Sequence, residues 1–96
     1  MKQLTIICFK ELSNDVAQIL SREISGGYVH IPDAVGRKTE ELVGYEKTAS
    51  FPAEVFIAAA EDETIGKIVH QLKEYTDKCE YKPCLKMLVS KLEEWF

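Results

Sequence analysis

Residues 2–10 read KQLTIICFK, an apolar run with a lysine at each end. The run is rich in β-branched and aromatic residues and is too short for a stable helix, so it predicts a first strand. Residues 55–60 read VFIAAA and predict a third strand of the same kind. In both runs, apolar side chains fall on both faces, as in strands that are covered on both sides. The pattern therefore predicts the two central strands of one sheet.

One amphipathic helix is predicted after each of these strands. The first spans about residues 14–25, where Ser13 offers an N-cap oxygen and the two glycines at 26–27 provide a stop signal. The second follows the acidic residues 61–63, which favour a helix N-terminus, and ends near Asp77. Each helix carries one apolar face with helical spacing, formed by Val16, Ile19, Leu20 and Ile24 in the first and by Ile65, Ile68, Val69 and Leu72 in the second.

The remaining segments are shorter or less regular. Residues 28–31 predict a short second strand that Pro32 closes or leaves at a sheet edge, since proline has no N–H for a ladder. Residues 33–51 lack a sustained periodicity and predict a long polar loop or a mobile hairpin extension. Residues 85–89 predict a fourth strand, and the tail at 92–96 ends as one helical turn or as an extended arm.

This order of elements predicts one domain over residues 1–96 with an α+β, ferredoxin-like fold. Its β-α-β, loop, β-α-β arrangement forms a four-stranded antiparallel sheet with both helices on one face and a long β2–β3 loop. The other face has no layer of its own, yet the central strands are apolar there too. We expect sister copies of the chain to cover it. The alternative is that Leu88, Leu92, Trp95 and Phe96 of the C-terminal part fold under the sheet.

Composition excludes several classes of function. The chain has 16 acidic and 12 basic side chains and a net charge of -4, so it lacks the basic surface of nucleic-acid binders. Three cysteines and no secretory or membrane-spanning pattern predict a cytoplasmic protein with reduced thiols. Since no nucleophile, base and orienting group can be placed together, we expect no enzyme activity.

The element order and three short motifs together resemble the PII signal-transduction superfamily, especially its divergent PII-like members. The motifs are the KQLTII strand, the GYVHI strand that runs into Val35-Gly36-Arg37-Lys38, and the second strand-helix-strand half. The resemblance implies a homotrimer that binds a small effector in the clefts between subunits. It also makes residues 36–51 the counterpart of the T-loop, which docks on a target such as a membrane transporter, an enzyme or a transcription regulator.

Within this resemblance, the predicted effector-binding residues are Gly36, Arg37 and Lys38 at the start of the loop, and Lys78 and Lys82 in the turn before the last strand. The two segments are expected near the same edge of the fold, where they meet a nucleotide, bicarbonate or another anion; the alternative is ordinary solvated lysines. The turn lacks the glycines with which PII proteins cradle phosphates, and the arginines that follow their last strand are absent. The sequence therefore names no cofactor.

Cys79 and Cys84 form a C-x4-C pair with three open interpretations. They are structural or idle thiols, a redox pair, or ligands of a soft metal that also needs His30, His70 or a neighbouring subunit. His30 is alternatively a packing residue of strand two or a pH-responsive group in a cleft. Tyr45 is similar in place to a loop tyrosine that some PII proteins have nucleotidylated; its alternative is a surface tyrosine. The second function hypothesis is a metal-handling protein of this fold, similar to CutA or to PII-like proteins beside metal-efflux pumps.

Overall fold

The computed structural model describes residues 1–42, 45–79 and 84–94, and the side chains of all of these except 38–42 and 45–48. The elements, in chain order, are β1 (Lys2–Phe9), a 3-10 turn (Lys10–Leu12), α1 (Ser13–Glu23), β2 (Val29–Leu42), β3 (Tyr45–Ala60), α2 (Asp62–Lys78) and β4 (Leu85–Lys91). The four strands form one antiparallel sheet in the order β2-β3-β1-β4. The predicted ferredoxin-like fold, with β1 and β3 at its centre, is therefore confirmed.

Both helices pack on one face of the sheet because each presents its apolar face to the central strands. The core there consists of buried side chains from β1, β3 and the helices, namely Leu4, Ile6, Cys8, Val16, Ile19, Leu20, Ile24, Phe56, Ala58, Ile65, Ile68 and Leu72. The predicted apolar helix faces are thus buried, except that Val69 is only partly covered. In the part of the chain that the structure describes, no helix is both long and apolar enough to cross a bilayer.

The segment predicted as a polar loop or hairpin extension is a hairpin extension. β2 does not end at Pro32; it is interrupted by a bulge between Ile31 and Ala34 and then continues to Leu42 beside β3. Asp33 within the bulge has a φ of 58°. Because β2 lies at the edge of the sheet, a proline and a bulge are tolerated there without breaking a central ladder. We call residues 34–42 and 45–53, which continue β2 and β3 beyond the bulge, the hairpin arm.

The ends of α1 and β4 differ from their predicted positions, and of the two alternatives for the tail the helical turn does not form over residues 92–94. α1 begins at Ser13, which makes no capping hydrogen bond because its hydroxyl is used elsewhere. The helix ends at Glu23, and Gly27 takes a φ of 91° in the turn that follows. β4 continues to Lys91, and residues 92–94 form no helix. The Leu92 N–H instead donates to the Met1 carbonyl oxygen over 3.2 Å.

The sheet face opposite the helices, which we call the open face, is largely apolar as predicted, although Gln3 and Thr5 of β1 also lie on it. Ile7, Val55 and Ile57 are half-buried there. Towards the two edges the open face is bare, with exposed fractions of 55% at Val29 and 50% at Leu88. The described part of the chain therefore leaves this face open. The Trp95 and Phe96 side chains, proposed as an alternative cover, lie outside the described residues.

Candidate functional site

The predicted effector-binding residues that the structure describes lie at one end of the sheet, where the hairpin arm leaves it. β1 ends here at Phe9, opposite Ala53 of β3, and β4 begins here at Leu85, opposite Cys8. The 3-10 turn and the start of α1 follow β1 at this end, and α2 ends here before β4. We call this the hairpin end. It brings together the arm, the N-terminus of one helix and the C-terminus of the other.

Arg37 and Lys78 lie at the hairpin end but on opposite sides of it. Arg37 is exposed on β2, opposite Ser50, and Lys78 is the exposed last residue of α2, which leads to β4. β2 and β4 are the two edge strands, with β3 and β1 between them. At about 4.8 Å per strand, they are roughly 14 Å apart. The expectation that the two segments lie near one edge is therefore wrong for a single chain.

The other predicted effector and loop residues are described in part or not at all. Gly36 pairs with Phe51 across the hairpin arm, and the backbone of Lys38 pairs with that of Ala49. Tyr45 begins β3 opposite Leu42, and nothing further is described of its side chain. Lys82 lies outside the described residues.

A buried carboxylate that sequence reasoning missed lies at the same end, on the helix face. The Ser13 hydroxyl donates to Glu54 Oε1 over 2.8 Å, and His30 Nε2 lies 2.5 Å from the same oxygen. The Glu54 side chain is only 8% exposed, and the two hydrogen bonds, that from Ser13 first, hold the pKa of its carboxyl below the ordinary value. The carboxylate thus connects α1, β2 and β3 at the root of the hairpin arm.

The His30 ring is held on two sides. It stacks on Phe56, with ring centroids 4.2 Å apart and planes 10° from parallel, while Nε2 binds Glu54. The sequence contained one weak signal for this contact, a carboxylate at the start of an otherwise apolar strand. The contact between His30 and Glu54 follows only from the strand register, which places His30 opposite Phe56, two residues from Glu54.

The cysteine pair is joined by a disulfide between the end of α2 and the start of β4. The Cα atoms of Cys79 and Cys84 are 6.3 Å apart, and Cys84 is buried. The structure thus differs from the expectation of reduced thiols for this pair. His30 lies on the opposite edge strand, and no group of three His, Cys, Asp or Glu side chains with metal-binding geometry occurs among the described residues.

The third cysteine, Cys8, is buried under the helices and is 1% exposed. Burial, and secondarily the negative charge of Glu54, raises the pKa of its thiol to about 11. The thiol is therefore protonated and inaccessible at neutral pH, so Cys8 packs as a small apolar residue.

Comparisons with known proteins give a match in structure but none in sequence. No model of a known protein family matches the chain, and no curated protein matches it. The PII-like protein CPII from Thiomonas intermedia K12, solved bound to ADP, AMP and bicarbonate, aligns with a TM-score of 0.70 at 18% identity, over 93% of this chain and 86% of that one. The GlnK–ATP complex of B. subtilis aligns with a TM-score of 0.72 at 12% identity, over 96% and 84% of the two chains.

CutA from Xylella fastidiosa also aligns, with a TM-score of 0.68 at 11% identity over 99% of this chain and 86% of that one. The chain therefore has the ferredoxin-like fold that PII-like and CutA proteins share. The resemblance to PII-like proteins predicted from the sequence is confirmed as a resemblance of fold.

Proposed function

We propose that this chain is a PII-like regulatory protein. It assembles as a homotrimer, binds a small anionic effector in the clefts between subunits, and engages a target protein, such as a membrane transporter, through the hairpin arm. The observation that carries the proposal is the open face, which has apolar side chains on all four strands and exposes Val29, Ile31 and Leu88. It is an assembly surface that lies next to the arm.

Self-association covers the open face at a favourable free energy. Burying about 400 Å² of apolar surface per chain contributes on the order of 10 kcal/mol before the costs of association. Closed, symmetric assemblies are the usual form of soluble homo-oligomers. A ring of three chains, with their sheets towards a common axis, buries the open face of every copy.

A ring also supplies what one chain lacks for anion binding. Contacts between neighbours in a ring join unlike surfaces, so the β2 edge of one copy faces the β4 edge of the next. Arg37 of one copy and Lys78 of its neighbour then face one cleft, although they are separated within a chain. Two cations in one cleft form a site for a nucleotide phosphate or bicarbonate. The ligands in the CPII and GlnK structures belong to the same chemical classes.

The effector acts by shifting the conformation of the hairpin arm. An anion that contacts Arg37 in one arm conformation and not in another favours the first by its differential binding energy, typically about 1–3 kcal/mol. The target protein then binds the arm in the favoured conformation.

Two measurements test the proposal. Sedimentation velocity of the oxidised protein should give about three times the chain mass of 10.9 kDa. Calorimetry with ATP, ADP, AMP and bicarbonate should show binding of at least one, weakened about tenfold or more by Arg37→Ala, because that change removes a charge-assisted hydrogen bond.

Arg22→Ala is the matched control, since Arg22 is the only other arginine of the chain and lies on α1, where it contacts Glu23 and Gln71. It should leave the affinity unchanged. A monomer, or a wild-type protein that binds none of the four probes, contradicts the proposal.

The metal-handling function stays a second prediction, supported by the match to CutA over 99% of this chain. Metal content after purification under reducing conditions should then fall in the Cys79→Ser/Cys84→Ser variant. Equal metal content in both proteins contradicts it.

A further inference from the structure

Gly36 occupies a position in the hairpin arm where a side chain would have to displace the Phe51 ring. It lies directly opposite Phe51 of β3, and the Phe51 ring lies across it. A Cβ atom at position 36 would be 2.8 Å from Phe51 Cε1 and closer still to Cζ and Cε2, whereas real Cβ contacts under 3.0 Å are essentially never seen. The glycine is needed here because the ring takes the space of its missing side chain.

The Phe51 ring connects the arm to the centre of the sheet. Phe9, the last residue of β1, pairs with Ala53, so Phe51 is its diagonal neighbour on the open face. The two rings meet edge to face, with centroids 5.1 Å apart and planes at 66°. An aromatic pair of this geometry contributes about 0.5–1.5 kcal/mol beyond the area it buries.

The contact continues from Phe9 to the opposite edge of the sheet. The Phe9 N–H donates to the Cys84 carbonyl oxygen over 3.0 Å, immediately before β4. Gly36, Phe51, Phe9 and Cys84 thus form a chain of contacts across all four strands at the hairpin end, which we call the aromatic band. Arg37 follows directly after its first member.

We propose that Gly36 and Phe51 are positioning residues of the effector site, and that the aromatic band sets the place of Arg37 relative to the sheet. This inference rests on the proposed function. Gly36 contributes to the proposed site by leaving room for the Phe51 ring, not by contacting the effector. The Phe51 ring packs on Phe9 on one side and lies over the Gly36 backbone on the other. These contacts fix the angle at which the arm leaves the sheet. Because affinity depends on placing Arg37 correctly, loosening this angle weakens binding without removing any group that touches the anion.

The test is a double-mutant cycle with ADP as the probe, measured by calorimetry on the oxidised assembly. Gly36→Ala should weaken ADP binding about tenfold or more, because the new methyl group displaces the ring. In the Phe51→Ala background the same Gly36→Ala change should cost little, because no ring remains to be displaced. If Gly36→Ala weakens ADP binding equally in both backgrounds, Gly36 does not act through the Phe51 ring and the proposal is contradicted.

Gly66→Ala is the control for the Gly→Ala change itself. A Cβ at position 66 of α2 meets nothing within 4 Å, so this variant should keep the ADP affinity of the wild type and show a thermal midpoint at or above that of the wild type. The assembly mass and the thermal midpoint of each variant show whether it still folds and assembles. A weaker affinity in a folded assembly then reports a changed orientation of the arm. If Gly36→Ala does not assemble, Phe51→Leu takes its place, and wild-type ADP affinity in that folded assembly overturns the inference.

Amide hydrogen exchange gives a readout that needs no effector. Exchange in the hairpin arm should be faster in Gly36→Ala than in Gly66→Ala, while the core strand β1 stays equally protected in both. Unchanged exchange in the arm overturns the positioning role even if no probe binds. If the wild type does not bind ADP and exchange is still faster in Gly36→Ala, the result contradicts nucleotide binding and supports the positioning role of Gly36 and Phe51.

Discussion

Glu54 shows how one side chain can connect three elements of this fold. Its carboxylate belongs to β3 and accepts hydrogen bonds from Ser13 of α1 and His30 of β2. The positive charge of Lys10 in the 3-10 turn also favours the ionised carboxylate. A buried charge is tolerated only where it is paired in this way. The pair therefore stabilises the root of the arm in its present geometry.

We predict that Glu54→Gln destabilises the protein at neutral pH by about 1–3 kcal/mol, because it removes a buried, hydrogen-bonded charge. Folding lowers the pKa of Glu54 from its ordinary value of 4.5. Its ionised form therefore stabilises the folded state above pH 4.5, and this contribution is lost as the pH falls from there through the lower folded value. Urea unfolding at one protein concentration, followed from pH 7 downward, should show the variant approaching the wild type in acid.

Glu93→Gln is a suitable control for this experiment, since Glu93 is exposed near the end of the described chain. It should change the unfolding free energy by less than about 0.5 kcal/mol at any pH. A Glu54→Gln protein whose deficit stays constant from neutral to acidic pH would show that the charge of Glu54 is not what stabilises the fold.

At the scale of the element, the bulge in β2 explains how the hairpin arm continues past a proline. Pro32 has no N–H to donate. Asp33 turns the strand with a φ of 58°, a conformation that residues other than glycine, asparagine and aspartate rarely adopt. The strand then resumes its pairing with β3 at Ala34.

We predict that Asp33→Val lowers the unfolding free energy by about 1–2 kcal/mol, because a β-branched residue is strained in the left-handed region. Asp33→Gly and Asp33→Asn should be close to neutral, since both residues accept that conformation. Thermal unfolding of the three variants checks this. If valine and asparagine at position 33 give the same midpoint, the bulge does not require a left-handed residue.

The disulfide between α2 and β4 is the second element-scale feature. It closes a loop of sequence separation 5 between Cys79 and Cys84. We predict that the oxidised protein is more stable than the reduced protein by about 2 kcal/mol, the loop-entropy value for a ring of this size. Urea unfolding with and without reductant measures the difference.

The Cys79→Ser variant provides the control for that measurement, because its stability should not respond to the reductant. Thiol alkylation followed by mass spectrometry reports how many cysteines are free in each sample. A wild-type protein that is equally stable with both thiols free and with both paired would identify the pair as idle.

At the scale of the whole molecule, the open face is the surface on which the proposed assembly of several chains depends. Leu88 and Val89 are neighbours on β4 with nearly equal exposure, 50% and 47%, yet they point to opposite faces of the sheet. Leu88 lies on the open face opposite Thr5, and Val89 lies on the helix face opposite Leu4.

We predict that Leu88→Lys dissociates the assembly and that Val89→Lys does not, because only the first places a charge in the proposed interface. Sedimentation velocity at micromolar concentration should return the mass of one chain, 10.9 kDa, for Leu88→Lys and about three times that mass for Val89→Lys. Equal behaviour of the two variants would place the subunit contact elsewhere.

Much of the fold could be predicted from local patterns. The apolar spacing of Val16, Ile19 and Leu20 predicted the face of α1 that is buried, and the doubly apolar runs predicted which strands are central. The arm could not be predicted as strand, because Pro32 is a stop signal unless the strand lies at an edge and bulges. Ser13 was read as a cap because a hydroxyl before an apolar periodicity favours that role locally, whereas its partner Glu54 is 41 residues away.

Spacings of a few residues along the chain specify the order of the elements, the buried faces of the helices and the largely apolar character of both faces of the central strands. These spacings reflect the helix and strand periods. The folded structure was needed to show that Glu54 meets His30, that Phe51 covers Gly36, and that Arg37 and Lys78 lie on opposite sides of the hairpin end. Those relations depend on the register and order of strands far apart in the chain, and a shift of one residue would reverse every face, so no local pattern encodes them.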